Sequence, residues 1–139
     1  MRYLLDTDTC VAIIRQRPGT VQQRLFALPT GDVGISVVTV AELSYGVQNS
    51  RDPARNAQAL DRFLLPLAVV PFGEPAASAY GRVRAELEKG GQIIGGMDML
   101  IAAHALALGA TLVTNNSREF ARIAGLWLEN WLAEAAADH

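Results

Sequence analysis

At 139 residues, half of them hydrophobic and only 6% aromatic, the chain has the size of one ordinary domain, long enough to bury roughly two-thirds of its unfolded surface. A net charge of -2 and a pI near 5.6 argue against a general cationic nucleic-acid binder but leave room for a local basic groove. One cysteine excludes an intrachain disulfide, no signal-peptide pattern opens the chain, and no apolar run reaches the roughly 20 residues that span a bilayer, so a soluble, cytoplasmic protein is expected.

In chain order, "RYLL" (Arg2 to Leu5) predicts a strand, and "CVAIIRQ" (Cys10 to Gln16) shifts to helical spacing, with Cys10 a small core residue. After Pro18 and Gly19, "TVQQRLFAL" predicts a second helix that stops at Pro29. The β-branched run Val33 to Val38 predicts the second strand, and Thr39 begins the amphipathic "TVAELSYGVQ". Pro53 opens another helix, Leu67 to Phe72 predicts the third strand, and Glu74 to Lys89 the longest helix, ended by Gly90 and Gly91. Met97 to Leu108 follows as a helix closed by Gly109, then Ala110 to Thr114 as the fourth strand, "SREFARI" as a short helix and "GLWLENW" (Gly125 to Trp131) as a weaker last strand. Strands alternate with helices throughout. The expected fold is a three-layer α/β/α sandwich around a mainly parallel sheet of four or five strands, one domain over 1–132 with an Ala-rich tail over 133–139.

Taken singly, the acids near strand ends have structural explanations. Asp6 and Asp8 can cap the first helix, Glu42 stands three residues after Thr39 at capping-box spacing, and Asp98 lies in a first helical turn where the macrodipole favours a carboxylate. Placed on the fold, they converge. A parallel sheet brings the carboxyl ends of its strands to one edge, where ligands bind; Asp6 ends the first strand, Glu42 follows the second, and Asn115 and Asn116 end the fourth. Asp98 begins the helix leading into that fourth strand. Carboxylates this close repel unless a cation sits between them, and oxygen-only ligands suit Mg²⁺ or Mn²⁺. Such a site performs metal-assisted phosphoryl transfer. Other chemistries lack their parts: no cysteine–histidine cluster fits zinc, "GGQIIGG" lacks the lysine of a phosphate loop, and His104, on a stripe with Leu100, Ile101 and Leu108, reads as a core or interface residue.

"YLLDTDTCVAII", "ISVVTVAELSYGV", "RVRAELEKGGQIIGGMD" and "DMLIAAHALALGATLVTNNSREFARIAGLWLENW" together resemble a VapC-type PIN-domain ribonuclease, the toxin of a type II toxin–antitoxin pair, over nearly the whole chain. The resemblance implies a metal-dependent endoribonuclease that cleaves structured RNA, in tRNA, rRNA or mRNA loops. It matches Asp6, Glu42 and Asp98 to metal-binding acids, with Thr7 and Thr114 as polar neighbours. One departure stands out: many relatives carry a fourth acid where this chain has Asn115 and Asn116. Asn116 can act through its amide oxygen, or Glu119 can supply the charge, and one tightly held ion is expected. The resemblance also implies a homodimer neutralised by a small VapB-like antitoxin that occupies the groove and carries the operator-DNA contact. The helices around Val40 to Gln48 and Ala54 to Leu65, with Tyr45, Leu60, Phe63 and Leu64, are the expected clamp for it. Arg15, Arg17, Arg82, Arg84, Arg118 and Arg122 are candidates for the RNA backbone, and Trp127 and Trp131 read as core or edge packing.

Two rivals remain on sequence. "LLDTDT" is also the opening of haloacid-dehalogenase-type phosphatases, with Asp6 as nucleophile and Asp8 as general acid, but the only lysine, Lys89, ends a helix and the late strand ends in "TNN". The other is a non-catalytic dimeric binding module whose acids are only helix caps.

Overall fold

Tyr3–Leu5 forms β1, three apolar residues buried on both faces, as the centre of a parallel sheet requires. The computed structural model describes residues 1–15 and 19–132, so the expected tail, Gln16 and the candidate Arg17 lie outside the described residues. After β1 come α1 (Thr7–Ile14), α2 (Gly19–Ala27), β2 (Val33–Ser36), α3 (Val37–Gln48), α4 (Pro53–Leu64) and β3 (Ala68–Val70). Then follow α5 (Glu74–Lys89), α6 (Gly96–Leu108), β4 (Thr111–Val113), α7 (Ser117–Phe120) and β5 (Leu128–Glu129). No helix among the described residues is long and apolar enough to cross a membrane.

The strand order is β3-β2-β1-β4-β5 and every pairing is parallel, with Leu4 opposite Gly34 on one side and Leu112 on the other. Alternation along β1 divides two cores. Tyr3 and Leu5 face Cys10, Ile13, Leu25, Leu43 and Leu60 of α1 to α4, whereas Leu4 faces Val83, Leu87, Met99, Ala102 and Ala105 of α5 and α6. The sandwich expected from the sequence is therefore present, with five strands. The chain winds outward from β1 through β2 to β3, then returns to build β4 and β5 on the other side. That reversal opens a crevice between the carboxyl ends of β1 and β4.

One boundary differs from expectation in a way that bears on function. β2 stops at Ser36 rather than Val38, because the Ser36 hydroxyl accepts the Val38 amide at 3.0 Å and starts α3 two residues early. Local capping outweighs the strand preference of two valines. Thr39 is then inside the helix, and Glu42 stands on its second turn, beyond the reach of a capping box. The structural explanation for Glu42 falls away.

The end of the chain also divides. Trp131 is buried edge-on to Tyr3, with ring centroids 5.3 Å apart, and Arg24 lies over its ring at 4.7 Å while bonding Glu129 at 2.8 Å. Trp127, expected to pack, is 75% exposed. It precedes a two-residue edge strand, and its carbonyl accepts the Leu112 amide at 2.8 Å.

Candidate active site

Asp6 follows β1 directly and caps α1, its Oδ1 accepting the Thr9 amide at 2.9 Å. It is nearly fully buried. Burial raises its pKa, while hydrogen bonds from the hydroxyls of Thr114 and Thr9 and from the Thr9 amide work the other way. Thr114, just past β4, also accepts the Asn116 amide at 2.9 Å, so a short chain of bonds runs from Asn116 to Asp6 across the crevice. The Asn116 side chain caps nothing, although the residue precedes α7. On the β2 side, the Thr7 hydroxyl donates to Glu42 Oε1 at 2.5 Å, which ties the start of α1 to α3.

Asp98 sits in the first turn of α6, whose N-cap is Gly95, a residue with no side chain to cap it. Partial burial, then the negative charges of Asp6, Glu42, Asp8 and Glu119, push its carboxyl up to about 6. A first-turn position was expected to keep Asp98 ionised; here desolvation and four like charges outweigh the helix dipole. The same interaction shows that the three sequence-selected acids share one electrostatic neighbourhood. It adds Glu119, and it adds Asp8, which sequence reasoning treated only as a cap or a phosphatase acid. The signal for Asp8 was its two-residue spacing from Asp6. The convergence is electrostatic rather than a closed ligand shell: among the described residues no three acid, histidine or cysteine side chains stand close enough to enclose a metal by themselves.

The donor set is all oxygen. Cys10, on the buried face of α1, has its thiol pKa raised well above 9.0 by burial and then by Asp6. His104 lies in the core, its Nδ1 2.8 Å from the Ser36 hydroxyl and its ring edge-on to Phe72. Burial lowers its pKa, with a hydrogen bond to the Pro71 carbonyl opposing. Burial favours the neutral ring, and a neutral ring that donates to the Pro71 carbonyl leaves Nδ1 to accept the Ser36 hydroxyl proton; the expected core role holds.

A cavity of about 270 Å³ opens from Thr7 and Glu42 between α1, α3 and α4, and Arg15 lines it. A second, of about 300 Å³, lies on the other side of Glu42 beneath Tyr45 and Met97. Another, of about 350 Å³, is lined by none of the acids and lies between α1, α2 and α4, beside the 68% exposed Phe26. Of the candidate arginines, Arg84 is bonded to Glu88 and Tyr80 along α5, and Arg122 reaches the Ile93 carbonyl. Arg82 and Arg118 are exposed on α5 and α7. Of the expected clamp residues, Leu60 is buried and Phe63 and Leu64 pack on the same core, which leaves Tyr45 exposed. Lys89 is exposed at the end of α5.

A PIN-domain family model matches residues 3–126. The ribonuclease VapC2 of Rickettsia felis is 46% identical over 132 residues, 94% of this chain and 98% of that relative. The tRNA(fMet)-specific endonuclease VapC of Shigella flexneri is 40% identical over 131 residues, again 94% and 98%. Among solved structures, VapBC2 from Rickettsia felis, bound to a DNA fragment from its promoter, superposes with a TM-score of 0.89 at 44% identity, covering 94% of this chain and 99% of that one.

Proposed function

This chain belongs to the PIN-domain family, among its VapC ribonucleases, and from that premise we propose that it is a divalent-metal-dependent endoribonuclease whose site is Asp6, Glu42, Asp98 and Asn116. The observation that carries the site is the charge held without a counter-charge at Asp98: partial burial first, and then the charges of acids from three elements, raise its pKa to about 6. A divalent cation relieves that repulsion, and the oxygen-only donors favour Mg²⁺, with Mn²⁺ as a substitute. Asp6, Glu42 and Asp98 would hold the ion. When bound, it supplies Lewis-acid activation of an attacking water and neutralises charge developing on the phosphate.

The chain's own groups do the rest. Thr114 and the Thr9 amide fix the Asp6 carboxylate, so that its lone pairs face the cleft without a search over rotamers. Thr7 orients Glu42. Asn116, steadied through Thr114, offers an amide for a water or a phosphate oxygen, and Glu119 restores the negative charge that an asparagine at 116 lacks. Residues 1–132 act as one catalytic unit.

RNA is the substrate, and tRNA is the first class to test, since the Shigella relative is named for tRNA(fMet). A VapB-like antitoxin is the partner. It would seat apolar side chains in the groove between α1, α2 and α4, send a basic arm into the acidic cleft of a toxin homodimer, and carry the operator-DNA contact. The test is cleavage of purified initiator tRNA and total tRNA with Mg²⁺ or Mn²⁺, mapped at nucleotide resolution. Discrete cuts that vanish with chelator and in Asp6→Ala, Glu42→Ala and Asp98→Ala support the assignment. Cleavage that persists in all three variants overturns it.

A further inference from the structure

Gly46 stands in the interior of α3, one helical turn past Glu42, where glycine is less stable than alanine. Nothing in the fold requires it. Its φ is not left-handed, and a Cβ built there meets no atom within 4 Å. What the missing side chain leaves open is the wall of the 270 Å³ cavity that shares Thr7 and Glu42 with the acidic site.

We propose that this cavity is a nucleoside subsite for the RNA residue next to the scissile phosphate, with Gly46 as its gate. The inference rests on the ribonuclease reading above. A phosphodiester held against Asp6, Glu42 and Asp98 places its neighbouring nucleoside beside Glu42, and this cavity opens there. Its volume falls just below the roughly 300 Å³ at which pockets for drug-sized ligands begin, the right scale for one nucleobase. Leu43 and Leu60 supply an apolar floor for a base face, and Asn56 offers an amide at the rim, one of whose N–H groups goes to Ser50 at 2.9 Å. Of the two charged residues in the lining, Glu42 belongs to the acidic site, and Arg15 brings a guanidinium that complements a flanking phosphate. Reading an unpaired base requires a slot that a side chain at 46 would narrow.

The test separates stability from function. Gly81, in the interior of α5, is equally open to a Cβ but lines none of these cavities, and serves as the control. Gly46→Ala and Gly81→Ala should both raise Tm by a few degrees, since each removes a mid-helix glycine. Only the change at 46 should impair cleavage. Gly46→Leu, which fills the slot, should raise KM for initiator tRNA at least about tenfold, the scale of a methylene-sized misfit in a pocket. It should leave kcat within about threefold and shift the preferred cut. Binding of a short single-stranded RNA in the presence of chelator, followed by anisotropy, should weaken in parallel. An unchanged KM and cut site in folded Gly46→Ala and Gly46→Leu overturns the subsite. So does a defect confined to antitoxin binding, which would assign the slot to the protein partner. A wild-type protein that cleaves no RNA would instead overturn the ribonuclease reading itself.

Discussion

The two ends of α6 are built on opposite rules. At the carboxyl end Gly109 adopts φ 65°, the Ala110 amide bonds the Ala105 carbonyl at 3.0 Å, and a left-handed glycine closes the helix with the Ala105 and Leu106 carbonyls bonded. At the amino end, Gly95 caps without a side chain, and Asp98 stands half-buried among four other acids. One end is closed by local bonding. The other retains an electrostatic conflict that folding alone does not reward. Thirteen residues thus hold a closed helix end and an end left in electrostatic conflict, and it is at the conflicted end that the proposed site lies.

Breaking each end should have different consequences. Asp98→Ala should remove several kcal/mol of transition-state stabilisation, on the order of 10²–10⁴ in cleavage rate, while circular dichroism and Tm stay near wild type. Gly109→Ala should do the reverse: a Cβ in the left-handed region costs about 1–2 kcal/mol, visible as a lower denaturation midpoint with activity per folded molecule retained. Loss of activity at both ends alike would erase the comparison.

Asp98→Asn sharpens it further. The folded pKa of Asp98, about 6, lies above its ordinary 3.8, so the folded protein holds this proton more tightly than the unfolded chain does. Its contribution to stability is complete below pH 3.8 and is lost as pH rises through 6. In chelator, Asn should therefore stabilise the protein at pH 8, by about 1 kcal/mol after discounting for solvent screening at a half-exposed group, and the advantage should vanish near pH 4. Adding Mg²⁺ should stabilise the wild type and not the variant. A variant less stable at pH 8 in chelator would show that Asp98 is a structural residue after all. The smallest effect belongs far from the cleft: Arg84→Ala breaks an exposed pair with Glu88 and should leave both Tm and cleavage unchanged.

Much of the fold was legible because its elements carry local signals. The bounds of α5 come from its flanking glycines and proline, and β1 from an apolar run broken by an aspartate. The error at Ser36 arose where two local signals compete, valine for strand against serine for cap, and hydrogen-bond geometry decides between them. Asp6, Glu42 and Asp98, the acids of the proposed site, could be selected because parallel topology gathers strand ends at one edge. Glu119 was legible only as a charge that could stand in for the absent fourth acid and Asp8 only as a cap or phosphatase acid, since their effect on Asp98 is charge at a distance, which depends on how α1 and α7 turn toward α6. Trp127 and Trp131 look alike in sequence; only the sheet edge made one a core ring and left the other in solvent.

The sequence by itself determined the alternation of strands and helices and the placing of three acids close after a strand or at a helix start, because these follow from residue type and spacing. Tertiary structure decided how strongly those acids feel one another, which of the arginines lines the cleft, and that Gly46 opens onto a cavity rather than onto bare solvent. Those are properties of distance and desolvation between segments far apart in the chain, and no local pattern encodes them.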